Sequence, residues 1–473
     1  MQTTYRVRVW SIQENVRKAK ADGKPRRTYT VRWLVDARAW KATYETRALA
    51  DSFRASLLTA ARRGEAFVVD TGRPMSLARP DTVMSWYEFA CEYVDMKWSG
   101  AAANSRRSTA EALVTVTVAM VRPGRDVRDA RGLRTALRRW GFNTSKRGTT
   151  GCPRDVVEQL RWVETSVRPV TDLADHAVLR AVFEEIASKL DGSRCAATVL
   201  NRRRAVLFNT LEYAVERDLL TRNPMESFKW RAPKISHSVD RRSVVNPWQA
   251  RTLLRALAEE RPRGATSDSW QSSGPRLVAF FALLYFAALR PEEAVNLCQQ
   301  SLRLPRDGWG EIHLEWATPD AGRDWTDSGR TRDLRQLKHR ARGETRAVPC
   351  TPELTAILTS HLRTYGPVSG GRLFSGLRGG ELSRVTYQRA WDRARQATFT
   401  REVYDSPLGR TPYTLRHACV STWLNGGVPP TQVAEWAGHS VDVLLRVYAK
   451  CLDGQDVESR RRVVAALGGQ AWR

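Results

Sequence analysis

The sequence predicts an α+β chain of several domains: a small N-terminal sheet with one helix, an all-α middle, and a mainly α C-terminal domain carrying a small β-sheet. Three observations support this. Apolar and polar residues alternate over roughly the first 45 positions, the two-residue period of strands. Apolar residues recur at helical spacing from about 80 to 230. Between 411 and 450, Gly and Pro cut the chain into three short helices. At 473 residues the chain has room for about three domains. The expected divisions are 1–75, 80–230 and 246–473.

Charge narrows the partner. Lys plus Arg number 77 and Asp plus Glu 50, a net +27, with a pI near 10.5. Such a balance favours a polyanion, nucleic acid before membrane. A GC-rich genome raises arginine content but does not generate so large an excess over acid. The seven cysteines are scattered, with no C-x-x-C and no Cys/His grouping at zinc spacing, so free thiols in a reducing cytoplasm are expected. The N-terminal residues lack the apolar core of a signal peptide. The most apolar run, Leu277 to Leu289, is too short to span a bilayer and reads as a buried helix. There is no Walker A run, no Gly-rich phosphate loop and no acidic metal cluster. No metal or nucleotide cofactor is therefore expected.

Taking the elements in order, Tyr5, Val7 and Val9 alternate with Arg6, Arg8 and Trp10, and Tyr29, Val31, Trp33 and Val35 alternate likewise. Trp40, Ala42 and Tyr44 form a third candidate strand. The loop between the first two, Arg17 to Arg27, carries Arg17, Lys18, Lys20, Lys24, Arg26 and Arg27. A helix follows with Leu49, Phe53 and Leu57 on one face and Gly64 as its stop. The basic loop is suited to gripping phosphates; a solvated basic face is the plainer alternative. In the middle region, Val83, Tyr87, Ala90 and Val94 share a face, and so do Val178, Val182, Phe183 and Ile186. A long helix through Leu200, Leu207, Leu211, Ala214 and Val215 presents Arg202, Arg203 and Arg204. Asn223-Pro224 ends the region. The stretch 126–169 is read as structural elaboration.

Residues 231–245 read as a polar, basic linker. Asn246-Pro247 pairs an N-cap with Pro at the first helical position. After a Gly/Ser/Pro-rich loop, a helix over 276–288 is apolar nearly all round and hence buried. Arg290 follows it at once and Glu293 lies three residues on. Alone, that spacing reads as an ion pair at a helix junction. Glu311 to Trp316 is a candidate strand, and Gln336 to Val348 a hairpin with Gly343 near its tip. Ser383 caps a helix through Arg384, Arg389, Arg393 and Arg395, whose basic face suits a DNA groove or simply solvent. Asp456 to Leu467 has the pattern of a short terminal helix.

The forty residues from Thr411 to Lys450 organise the rest. An apolar helix begins beside Arg416 and His417 and stops at Gly426-Gly427. Pro429-Pro430 opens a second short helix that Gly438 ends, and Ser440 caps a third, which carries Tyr448. Arg416, His439 and Tyr448 thus ride on small, closely packed elements. A cation, an imidazole and a phenol are what a metal-free attack on a phosphodiester needs.

This stretch resembles the C-terminal signature of the tyrosine recombinase, or phage integrase, family: His-x-x-Arg, then Gly-His, then Tyr about nine residues later. Arg416, Gly438-His439 and Tyr448 match, and Tyr413 replaces the first His. The family's Gly/Ala-Leu-Arg-x-x-Glu run is matched by Ala288-Leu289-Arg290 and Glu293. The family places a Lys on a hairpin like that at 336–348, which selects Lys338; His339, Arg340 and Arg342 are competitors. The resemblance implies an arm-type DNA-binding domain at 1–75, a helical core-binding domain at 80–230 and the catalytic domain at 246–473. It also implies double-stranded attachment-site DNA as partner, a homotetramer on DNA, an accessory directionality factor, no membrane role, and a bacterial host cytoplasm. In the mechanism it implies, Arg290 and Arg416 hold the scissile phosphate, Tyr448 attacks phosphorus to give a 3′-phosphotyrosine, and Lys338 protonates the leaving 5′ oxygen. His439 contacts the phosphate or carries a proton, with Tyr413 beside it and Glu293 in support. A type IB topoisomerase-like enzyme using the same chemistry and a catalytically silent DNA-binding regulator are the alternatives.

Overall fold

The computed structural model describes all residues except 1–2, 18–25, 76–83, 126–128, 231–232, 234–237, 261–272, 339, 341–342, 449–450, 452–455 and 468–473. It is a mixed, predominantly helical protein with small sheets. No helix among the described residues is long and apolar enough to cross a membrane.

The N-terminal region comprises β1 (Thr3–Thr4), β2 (Val7–Val9), β3 (Gln13–Arg17), β4 (Arg26–Val35), β5 (Arg38–Tyr44), α1 (Arg47–Arg62) and β6 (Phe67–Val68). Strand β4 is central. β2 and β3 share one of its edges and β5 takes the other, with Trp33 opposite Trp40. Val31, Trp33 and Val35 point to one face, as a period of two requires, and pack on Ala50, Leu57 and Ala60 of α1. Thr46 caps α1 by accepting from the Leu49 amide. Leu49, expected on the buried face, is 56% exposed, because the inward stripe runs through Ala50, Leu57 and Ala60. Lys18, Lys20 and Lys24 lie outside the described residues; Arg17 and Arg26 are paired at the ends of β3 and β4.

The middle region is helical, with α2 (Trp86–Trp98), α3 (Ala103–Ala119), α4 (Ala130–Ala136), α5 (Arg154–Ser166), α6 (His176–Ala187), α7 (Ala197–Glu216) and α8 (Pro224–Ser227). Its core gathers Trp86, Phe89, Leu113, Phe142, Phe183, Leu207 and Leu211 around α3. Two residues of this core, Ala321 and Trp325, come from much later in the chain. The stretch 126–169 supplies α4, α5 and the buried Phe142. It also reaches that later segment: Asn143 Nδ2 donates to the Asp324 carbonyl at 2.7 Å, and Lys146 pairs with the Asp324 carboxylate.

The C-terminal region follows with α9 (Pro247–Ala258), α10 (Ser273–Phe286), α11 (Pro291–Asn296), β7 (Leu302–Arg303), β8 (Gly310–Leu314), β9 (Trp316–Ala317), β10 (Arg335–Gln336), β11 (Arg346–Cys350) and α12 (Pro352–Tyr365). Then come α13 (Arg384–Thr398), α14 (Arg401–Asp405), α15 (Tyr413–Asn425), α16 (Pro430–Ala437), α17 (Val441–Tyr448) and α18 (Asp456–Ala466). Helix α10 is buried almost throughout, packed against α9, α12, α13 and α15. The Asn246–Gln249 capping box with Pro247 starts α9.

The expected hairpin over 336–348 takes another form. β10 pairs with β9, and β11 pairs with β8. The two halves therefore pair with successive stretches of 310–317 rather than with each other. The reason is visible in β11: Arg346, Val348 and Cys350 are all buried, so this segment needs the core-facing edge of β8. The expected basic face of α13 is also partial. Arg384 and Arg389 are exposed, whereas Arg393 pairs with Glu260 and the buried Arg395 donates to the Tyr404 and Leu408 carbonyls.

Candidate active site

The site begins where α10 ends. Ala288 takes a left-handed conformation, φ 48°, unusual for a residue with a Cβ and of the kind that persists only when its surroundings hold it. This turn places Arg290 at the N-cap of α11 rather than on the buried helix itself. Glu293, one turn on, accepts from the Arg290 amide at 2.8 Å and from its Nη1 at 2.7 Å. Arg346 of β11 grips the same carboxylate through Nη1 at 3.0 Å and Nη2 at 2.7 Å. Burial pushes the Glu293 carboxyl up, but Arg346 and Arg290 outweigh it and hold it well below the usual carboxylate range. Glu293 is thus a charged clamp for two guanidiniums.

Gly438 closes this cluster. It ends α16 in the left-handed conformation, φ 66°, which glycine adopts without a Cβ penalty. A Cβ here would also collide with the Arg346 guanidinium. The Gly438 carbonyl accepts from Arg290 Nη2 at 2.7 Å.

Arg416, on the first turns of α15, is completely buried. Its Nη1 donates to the Ala288 carbonyl, and its Nη2 to the Ala437 carbonyl at 2.5 Å and to His439 Nε2 at 2.7 Å. Those partners are neutral, and Nε is buried with none. Three guanidiniums against one carboxylate leave the cluster two positive charges in excess. A buried cation without an anion is costly, so this arrangement is built to receive one.

The two histidines here are neutral at pH 7. Burial, then Arg416, Arg290 and Arg346, hold His439 down to about 3. Burial and Arg416 hold His417 to about 4. Tyr448 ends α17, is 1% exposed, and packs among Cys419, Val420, Val433 and Leu444. Burial raises its phenol above the usual value, and Arg416 pulls the other way. Its hydroxyl lies 2.8 Å from His417 Nδ1. Tyr413, the first residue of α15, is half-buried and edge-on to His417, with ring centroids 5.1 Å apart.

The sequence-selected Arg290, Glu293, Arg416, His439 and Tyr448 therefore meet, with Tyr413 adjoining. Lys338, two residues after β10, is exposed and takes no part in the hydrogen bonds of the cluster. His339 and Arg342 lie outside the described residues, and Arg340 donates to the Thr345 carbonyl at 3.1 Å. Of the groove candidates, Arg202, Arg384 and Arg389 are exposed. Arg203 is spent on the Ile186 and Ser188 carbonyls at the end of α6, and Arg27 pairs with Glu14. Sequence reading missed Arg346 and His417. Arg346 was detectable, as a charge in register with the inward Val348 and Cys350. His417 shares a helix face with Tyr413, four residues away.

No protein-family model matches the chain, and no curated protein sequence does. Among solved structures it is similar to the Tn1549 transposon integrase (residues 82–397) in complex with circular intermediate DNA, at 14% identity and TM-score 0.45, over 67% of this chain and 95% of that one. The XerH site-specific recombinase bound to difH substrate aligns at 13% and 0.46, over 80% and 94%. Lambda integrase (residues 75–356) bound to DNA aligns at 14% and 0.43, over 76% and 94%. Identities this low and TM-scores below 0.5 leave the functional reading to the geometry of the site.

Proposed function

We propose that this chain is a site-specific DNA recombinase of the tyrosine recombinase type, which cleaves and rejoins strands through a 3′-phosphotyrosine. The observation that carries the reading is the convergence of the buried Arg290 and Arg416 on the Gly438-His439 turn, beside the Tyr448 phenol. Two planar cations at a water-poor site suit the non-bridging oxygens of a phosphodiester, whose negative charge grows in the transition state. The two excess charges of the cluster match that growth. Arg290 and Arg416 hold the phosphate, and His439 donates to it or relays a proton. Glu293 and Arg346 fix Arg290. Tyr448 attacks phosphorus, and Lys338 protonates the departing 5′ oxygen. The covalent link conserves the bond energy, so rejoining needs neither nucleotide nor metal.

In this reading residues 1–75 bind arm sites, 80–230 and 246–473 embrace the crossover site, and four protomers assemble on the DNA of a phage or integrative element, with a directionality factor as accessory. The reaction takes place in a bacterial cytoplasm. Burial of Tyr448 favours, as a second reading, a DNA-binding regulator whose phenol never reaches DNA. Nicked duplexes built from the sequences flanking the gene separate the two. The wild-type chain should form a covalent adduct stable to denaturation, and Tyr448→Phe should form none while binding the duplex nearly unchanged. An adduct that survives in Tyr448→Phe excludes Tyr448 as nucleophile.

A further inference from the structure

The nucleophile must lose a proton, and the contacts around Tyr448 name the acceptor. His439 Nε2 accepts from the Arg416 guanidinium, which puts the proton of the neutral ring on Nδ1, so neither nitrogen is placed to accept from Tyr448. The His439 ring centroid is 6.0 Å from that of Tyr448. His417 Nδ1, by contrast, is 2.8 Å from Tyr448 Oη. A phenol is the better donor and a neutral imidazole nitrogen the better acceptor, so Tyr448 donates and the His417 proton sits on Nε2. We propose that His417, not His439, is the catalytic base that takes the Tyr448 phenolic proton during strand cleavage.

The inference rests on the recombinase reading and completes its proton balance. An Oη lone pair forms the bond to phosphorus while the Oη proton passes to His417 Nδ1. The bond from phosphorus to the 5′ oxygen breaks with its electron pair, and that oxygen takes a proton from Lys338. Rejoining reverses each step, with imidazolium as the acid. Arg416 and Tyr413 face His417 from its own helix, Tyr448 from α17, and His439 from the turn after α16. Burial and Arg416 keep the imidazole neutral, hence able to accept. A phosphate seated on the arginines offsets part of their field and strengthens the base as the reaction needs it. Proton transfer of this kind contributes roughly 10²- to 10⁴-fold.

Single-turnover cleavage of the nicked duplexes tests this. His417→Ala and His417→Gln should each cleave on the order of 10²-fold or more slowly at pH 7, with duplex binding and melting temperature used to confirm folding. Glutamine can accept the hydrogen bond but not a proton, so a purely structural role predicts that it restores the rate. The wild-type rate should be level from pH 7 to 9. Variant rates should climb roughly tenfold per pH unit as hydroxide replaces the lost base. Added imidazole should accelerate His417→Ala and leave Tyr448→Phe inert. A His417→Gln variant that cleaves at the wild-type rate with a level profile overturns the assignment while leaving the recombinase reading intact. Absence of an adduct from the wild-type chain overturns both.

Discussion

At the scale of single residues, the site is a set of conflicts between burial and charge, each resolved by a particular neighbour. Glu293 keeps its charge because two arginines hold it, and the histidines give theirs up. That has a consequence for stability. In the unfolded chain His417 and His439 titrate near 6.5, but when folded they titrate at about 4 and about 3. The unfolded state therefore binds more protons below pH 6.5, and stability falls with pH across the window from about 6.5 to about 3–4. Glu293, depressed further, adds a loss beginning near its unfolded value of about 4.3. Thermal melts from pH 7 to 4 should show the decline, and replacing both histidines by Gln should flatten the part above pH 4.5. Gly438→Ala should cost about 1–2 kcal/mol for its left-handed backbone alone, and more as Arg346 is displaced; urea midpoints measure this. At Tyr413 a phenol stands where an imidazole is expected. Removing its hydroxyl deletes at most a hydrogen bond to the phosphate, so Tyr413→Phe should slow cleavage roughly three- to tenfold. His439→Ala should cost more, because it also releases Arg416, and Tyr413→His should be tolerated. A Tyr413→Phe chain that cleaves at the wild-type rate would make the residue a packing element only.

At the scale of elements, the segment between β9 and β10 holds the helical and C-terminal regions together. Trp325 inserts beside Trp98, and the buried Arg106 donates to the Trp325 carbonyl at 3.1 Å and to Asp327 at 2.5 Å. Trp325→Ala should destabilise by about 3–5 kcal/mol, as for other buried tryptophans, and limited proteolysis should then cut between the two regions sooner than in the wild-type chain. None of this was legible in the sequence, because the contact joins residues more than 200 positions apart and neither partner lies in a periodic pattern. What was legible came from local rules: Gly438 and the prolines fixed the short helix that His439 follows and the turn before the helix that carries Tyr448, and Asn246-Pro247 fixed α9. The 336–348 segment misled because Gly343 marks a reversal but not the strand's partner, and the edge of β8 offered its apolar side chains a better one. His417 was passed over since adjacency to Arg416 says nothing about Tyr448, thirty-one residues away.

At the scale of the whole molecule, the charge of +27 is not spent at the arginine cluster, where only two charges are in excess. It is spread over exposed arginines such as Arg202, Arg384 and Arg389, and over the N-terminal module. If DNA is the partner, as proposed, such a surface meets it largely through phosphates, and affinity for long duplexes should fall with log salt at a slope of about −0.9 per phosphate neutralised. Deleting residues 1–75 should reduce that slope and remove protection at arm sites, while the crossover site stays bound. The module has its own core of Val31, Trp33, Val35 and Leu57, so its removal need not unfold the rest; circular dichroism of the truncated chain checks this. A truncated chain that protects the same DNA as the full chain would deny the module an arm-site role. In the proposed reaction the arginine cluster meets the phosphate's charge and side chains move the protons, so cleavage should proceed in EDTA without nucleotide at the full rate. A strict requirement for Mg²⁺ or ATP at the cleavage step would mean that the two excess charges of Arg290, Arg346 and Arg416 are not enough to carry the phosphate through its transition state.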